Sequence, residues 1–168
     1  MGTKINYEDF ILSLDKKLHA YFLEYDQFVC CRAGCSACCE KGDYPLSNIE
    51  LEYLMKGYVL LSADKKIQVQ QNLKSMEKGG KCPFLIEKKC SVYEYRPIVC
   101  RVHGLPYLYK DNCVKLPYCA NEGKNFANNY IDGEFVGQPI TENLDTEFLL
   151  QNFKHETKNL YDWIHTVI

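Results

Sequence analysis

Apolar side chains recur at three- and four-residue steps between Ile5 and Val29, at Ile11, Leu14, Leu18, Phe22, Tyr25 and Val29. Asp15, Lys16, Lys17, Glu24 and Asp26 fall off that stripe, so the spacing predicts one long amphipathic helix with a core-facing side. Ser47-Asn48-Ile49-Glu50 has the form of a capping box and opens a second helix through Leu51, Leu54 and Val59. Ser62-Ala63-Asp64 starts a third helix running to about Lys78, with Ile67, Leu73 and Met76 inward and Gly79-Gly80 as its stop. From about Thr141 a last helix is predicted to reach the C-terminus, with Leu149, Phe153, Leu160, Ile164 and Val167 on one face. It is expected to pack on the first helix.

Between these helices the pattern is short and broken. Cys82 to Ile86 reads as an extended stretch, Glu87-Lys88-Lys89 as a polar turn, and Cys90 to Tyr93 as a second short segment. Arg96-Pro97 sets an extended residue before a helical turn ending at Cys100-Arg101. Leu105 to Leu116 suggests a small hairpin about Lys110-Asp111-Asn112, and Asp132-Gly133 a turn between Tyr130-Ile131 and Phe135-Val136. The expected fold is therefore mainly α. It is a small single domain over residues 1–168, with long N- and C-terminal helices around an irregular, loop-rich cysteine centre.

Composition narrows the possible roles. A net charge of -2 lacks the basic excess that nucleic acid or an anionic membrane would call for. No apolar run approaches the ~18 residues of a membrane-spanning helix. Met1 to Glu8 carries no apolar segment of the signal-peptide kind and leads directly into the charged helical pattern. A reducing cytoplasm is the expected location, where clustered thiols stay free for metal.

Half of the ten cysteines fall in one ten-residue run, Cys30 to Cys39. If the run is helical, Cys31, Cys35, Cys38 and Cys39 share an arc of roughly 100°; if it loops at Gly34, the short spacers still bring the sulfurs together. Cys30 points elsewhere and is a candidate core residue. A second region supplies Cys82, Cys90 and Cys100, with Cys119 as an eighth candidate and His103 as a further one. A disulfide framework suits short secreted chains better than this one. Unpaired buried thiolates would be costly without a cation, so a soft metal is the expected partner. Eight thiolates fit two closed zinc sites, or one [4Fe-4S] cluster with sulfurs to spare. Adjacent Cys38 and Cys39 are expected to diverge and to resist sharing one zinc ion. A compact run with a distant further ligand, and the absence of paired CxxC half-sites, favour iron–sulfur over zinc. Arg96 and Arg101, set among the cysteines, are expected to offset thiolate charge.

The pattern Cys31-x3-Cys35-x2-Cys38-Cys39, then Pro45-Leu46, then Cys82-Pro83-Phe84-Leu85, then Cys90-Ser91-Val92-Tyr93-Glu94-Tyr95-Arg96-Pro97-Ile98-Val99-Cys100-Arg101 resembles the YkgJ-type cysteine-cluster family. That resemblance, over Cys31 to Gly104, implies a zinc- or iron-chelating protein and relates the chain to flagellin lysine-N-methylase, which is associated with an iron–sulfur cluster. Three roles stay open on this reading: a metal or cluster protein serving electron transfer, sensing or an accessory task; a protein lysine methyltransferase; and a structural zinc module with a protein partner. The spacing from Cys31 to Cys38 also matches a radical S-adenosylmethionine motif, but no alternating strand–helix pattern accompanies it. No nucleotide loop or Ser/His/Asp arrangement assigns a reaction.

Overall fold

The helices, in chain order, are α1 (Tyr7–Glu24), α2 (Ala37–Glu40), α3 (Asn48–Val59), α4 (Ala63–Lys74), α5 (Ile98–Val102), α6 (Thr146–Leu149) and α7 (Leu160–Ile164). The strands are β1 (Pro45–Ser47), β2 (Leu85–Ile86), β3 (Lys89–Cys90), β4 (Tyr107–Leu108), β5 (Val114–Lys115), β6 (Tyr130–Ile131), β7 (Glu134–Phe135) and β8 (Thr157–Asn159). The computed structural model describes residues 6–32 and 34–167; Ile5, where the first helix is predicted to begin, lies outside them. The chain divides into two compact units. One ends at Cys30 and resumes from Gly104 to Leu144; the other comprises Cys31–His103 and the chain from Asp145 onward.

In the first unit α1 buries Ile11, Leu14 and Leu18 of the predicted stripe and also Tyr7, while Phe22 and Tyr25 are half-buried. The Asn6 side chain caps it by accepting from the Glu8 N–H at 3.2 Å, with Glu8 and Asp9 in the positive first turn. The helix stops at Glu24, short of the predicted Val29, and a 3-10 turn over Asp26–Phe28 follows. The Phe28 carbonyl is engaged by the Phe126 N–H at 3.0 Å, and the two rings stack at 5.4 Å. A long-range contact thus draws the chain out of the helical path. The predicted hairpins are present as β4–β5 and β6–β7. Asp132 and Gly133 turn the second with positive φ angles of 51° and 87°.

In the second unit the capping box forms as predicted: the Ser47 hydroxyl accepts from the Glu50 N–H, and the Glu50 carboxylate returns to the Ser47 N–H. Leu46, Leu51, Leu54, Val69, Leu73, Met76, Phe84, Val92, Leu160 and Ile164 form the core. α4 ends at Lys74, before the glycine pair, because Ser75 bonds back to the Gln71 and Asn72 carbonyls. Ile67, predicted to face inward, is 52 % exposed, and Val69 takes the buried place.

The C-terminal expectation is corrected. Only α6 and α7 are helical, and β8 between them pairs antiparallel with β1, Leu46 opposite Lys158. The apolar stripe from Leu149 to Val167 is interrupted by the polar stretch Lys154 to Asn159. An unpaired β1 backbone recruits that stretch, and sheet pairing outweighs helical periodicity. Val167 is exposed. Asp43 anchors this end by accepting from the Tyr161 N–H at 2.8 Å and the Gly79 N–H at 2.7 Å.

Candidate metal centre

The Cys30 to Cys39 run is mostly loop. Gly34 turns it at a φ of 92°, and only Ala37–Glu40 coils into a short helix. That turn of helix presents Cys38 and Cys39. Their sulfurs lie 3.8 Å apart in a thiol–thiol contact in which either can donate, so the expectation that adjacent side chains diverge is corrected. The last turn of a short helix is loose enough to let both thiols lean to one side.

The second region approaches this pair through backbone. The Cys82 N–H donates to the Cys39 carbonyl at 2.8 Å. Gly42 lies so close beneath that a Cβ there would come within 2.4 Å of the Cys82 Cβ. From Cys82 the chain enters the β2–β3 hairpin, in which Leu85 faces Cys90. Glu87 and Lys88 make the two-residue turn, both at positive φ (48° and 59°), the mirror-image geometry that tight hairpins require. Two carbonyls of this arm, those of Pro83 and Leu85, accept from the Asn72 side chain of α4 at 3.0 and 3.2 Å. A 3-10 turn over Tyr93–Tyr95 and then α5 carry the chain to Cys100.

Cys38, Cys39, Cys82, Cys90 and Cys100 are therefore neighbours: charge on Cys38 raises the thiol pKa of each of the other four. Part of each residue's surface still meets solvent; burial is the main influence on Cys82, Cys90 and Cys100, while for Cys38 and Cys39 their mutual contact comes first. Burial pushes Cys82 up to about 12, raises Cys90, and holds Cys100 well above its ordinary value. Within the adjacent pair, the thiol–thiol contact lowers Cys38 to about 7 and raises Cys39. Arg96 is the cation of the group, and its charge favours the thiolates of Cys38, Cys90 and Cys100. Its guanidinium rests 3.4 Å over the Tyr93 ring, and its Nε donates to the Tyr93 carbonyl at 2.8 Å. Arg101 instead turns inward, its Nε donating to the Arg96 carbonyl at 2.7 Å.

The remaining predicted ligands stand differently. Cys31 is half-buried and Cys35 exposed on the loop before α2. Cys119 is buried within the first unit, in a 3-10 turn over Tyr118–Glu122. Cys30, the candidate core residue, is exposed; its N–H donates to the buried Asn125 side chain at 2.7 Å. His103 is kept neutral by burial, its pKa lowered to about 4, and its ring lies 6.0 Å from that of Tyr44. Among the described residues no three His, Cys, Asp or Glu side chains already stand close enough to share one ion. Two residues that shape the group were not singled out from the sequence. Gly42 belongs to no motif in the sequence, and Glu50 reads only as a helix cap, although its carboxylate also accepts from the Ile98 N–H at 2.8 Å.

The donor set suits a soft cation: five thiols, mostly protonated, whose ionisation calls for more positive charge than Arg96 supplies. Among the described residues no helix is long and apolar enough to cross a membrane. No curated protein and no solved structure matches the chain. The family model for CxxCxxCC, described as a putative zinc- or iron-chelating domain, matches residues 30–121. That span is more than half of the chain and includes every cysteine, so the protein belongs to the CxxCxxCC family of zinc- or iron-chelating domains.

Proposed function

We propose that this chain, taken as one cysteine-cluster domain, holds a single zinc ion between Cys38–Cys39 and the arm that carries Cys82, Cys90 and Cys100. The observation that carries the reading is the 3.8 Å separation of the Cys38 and Cys39 sulfurs. Two thiolates at about 2.3 Å from one tetrahedral ion lie about 3.8 Å apart, which is the spacing this pair already has. An iron–sulfur cluster, in which different irons take the cysteines, does not call for so close a pair. The ligands are drawn from these five thiols, with rotation about cysteine χ1 bringing the second-region sulfurs to the pair. Cys31 and Cys35 stay on the loop, and Cys119 serves the core of its own unit.

Bound there, a divalent ion supplies the positive charge that buried thiols need in order to ionise. The protein's own residues do the rest. Arg96 offsets residual negative charge, and the Cys82–Cys39 backbone bond fixes the distance between the two arms. Zinc has no redox chemistry, so on this reading the centre clamps the chain or presents a surface and does not pass electrons.

Anaerobic purification followed by metal analysis and an absorption spectrum tests this. A colourless protein with one zinc per chain is expected, lost on replacing Cys38 or Cys82 by Ser and retained on replacing Cys119. A brown protein with iron and acid-labile sulfide overturns the single-ion reading in favour of a cluster.

A further inference from the structure

Two charged side chains are buried among the described residues, Glu50 at 0 % and Arg101 at 3 % exposed. Both grip the segment between Cys90 and Cys100. Removing a carboxylate or a guanidinium from water is expensive unless hydrogen bonds replace the lost hydration. Here replacing bonds from both side chains reach the backbone of that segment. One Glu50 oxygen accepts from the Ile98 N–H at 2.8 Å; the other accepts from the Ser47 N–H at 2.7 Å and its hydroxyl at 2.9 Å. Arg101 donates through Nε to the Arg96 carbonyl at 2.7 Å, and through Nη2 to the Glu94 carbonyl. Ile98 is the first residue of α5 and Cys100 the third. One buried anion therefore holds the start of the helix that bears Cys100. One buried cation holds the two carbonyls of the stretch leading into it.

These bonds run from protein to protein, so the segment keeps its shape through its own side chains. A small zinc module whose ligands lie on an otherwise unsupported loop behaves differently, folding only when the ion arrives. We propose that Glu50 and Arg101 are positioning residues that hold the Cys90–Cys100 segment in its ligating shape before any metal is present, an inference that rests on the metal reading of the thiol group. Capture of the ion is then binding to a formed arm, and loss of either charge weakens it through geometry.

The test is zinc affinity by chelator competition on the full chain, anaerobic and reduced, for wild type, Glu50→Gln, Arg101→Lys and Ser47→Ala. Glu50→Gln keeps the volume but sets an amide donor against either the Ile98 N–H or the Ser47 groups. Arg101→Lys keeps the charge but gives up the planar fork that reaches two carbonyls. Each is expected to lose about ten- to a hundred-fold in zinc affinity. Ser47→Ala is the control for ordinary structural damage. It removes both hydroxyl bonds with Glu50, one accepted from its N–H and one donated to its carboxylate, but leaves the Ile98 and Ser47 N–H bonds intact, so its thermal midpoint falls while its zinc affinity stays at the wild-type value.

Equal affinities for wild type and Glu50→Gln overturn the proposal, as does a loss in Ser47→Ala matching that in Glu50→Gln. If Glu50→Gln fails to fold, hydrogen exchange on the metal-free wild type decides. An Ile98 amide protected without zinc supports the proposal, and one protected only after zinc is added overturns it. A wild-type chain that binds no zinc overturns the metal reading and this proposal together. Tight wild-type binding with no effect of the variants overturns the positioning role alone.

Discussion

Gly42→Ala probes the point at which the two cysteine regions meet. A Cβ on Gly42 would sit 2.4 Å from the Cβ of Cys82, 3.0 Å from its Cα and 3.0 Å from the Cys39 carbonyl oxygen. All three neighbours are backbone or Cβ atoms, so no side-chain rotation relieves the clash. Ordinary contact begins at 3.4 Å, which requires the two segments to part by about 1 Å. Parting by that much takes the 2.8 Å bond from the Cys82 N–H to the Cys39 carbonyl beyond hydrogen-bonding range. Overpacking costs about 1–3 kcal/mol and the lost bond about 0.5–1.5 kcal/mol. Because the Gly42 φ lies outside the left-handed region, alanine returns about 0.4–1 kcal/mol by stiffening the unfolded chain. The net expectation is destabilisation of roughly 2 kcal/mol. Urea unfolding of the reduced, metal-free protein measures it, and a zinc titration should show weaker binding because the ligand arms have separated. A stability change under about 0.5 kcal/mol, or a gain, would mean that the two segments are not pressed together as described.

Asn72→Ala strips the Pro83 and Leu85 carbonyls of their shared donor; a loss of about 1–3 kcal/mol is expected by urea unfolding, and an unchanged midpoint refutes the bridge. Zinc affinity should fall steeply with falling pH, by more than about tenfold per unit, because burial keeps Cys82, Cys90 and Cys100 protonated and more than one proton must leave. Calorimetry in buffers of different ionisation enthalpy counts those protons, and a pH-independent affinity contradicts the buried-thiol account. His155 is raised above 6.5 first by its Phe153 carbonyl bond and then by Glu147, so its contribution is complete below pH 6.5 and is lost as pH rises through the folded value. Glu147 is lowered from 4.5 by the Thr157 hydroxyl and then His155, so its contribution is lost as pH falls through its folded value. The wild-type advantage over His155→Gln should therefore peak between about pH 4.5 and 6.5 and shrink in both acid and alkali; thermal melts showing the same gap in alkali as within that window refute the pairing.

Several features were readable in the residues because their physics is local. The α1 stripe, the Ser47–Glu50 capping box, the Asp132-Gly133 turn and the breaks around Cys82 to Cys100 each depend on neighbours within one or two turns of chain. The chemistry of the cysteines was readable too: sulfur at such density implies a thiophilic ion wherever the chain places it. Gly42 and the Glu87-Lys88 turn left weaker marks. A close approach is invisible until its partner is known, and a two-residue turn without Gly or Asn departs from the usual signal.

Only the tertiary structure decided which thiols stand near one another. It gathered Cys38 and Cys39 with Cys82, Cys90 and Cys100, left Cys35 exposed, and buried Cys119 in the other unit. It also turned the predicted C-terminal helix into two short helices around β8, since β1 needed a partner strand and the polar Lys154 to Asn159 stretch could supply one. Short-range spacing sets what a segment is able to form. Which segment satisfies the backbone and the buried charge of another depends on contacts a hundred residues apart, such as Asp43 with Tyr161, and these follow only from packing the whole chain.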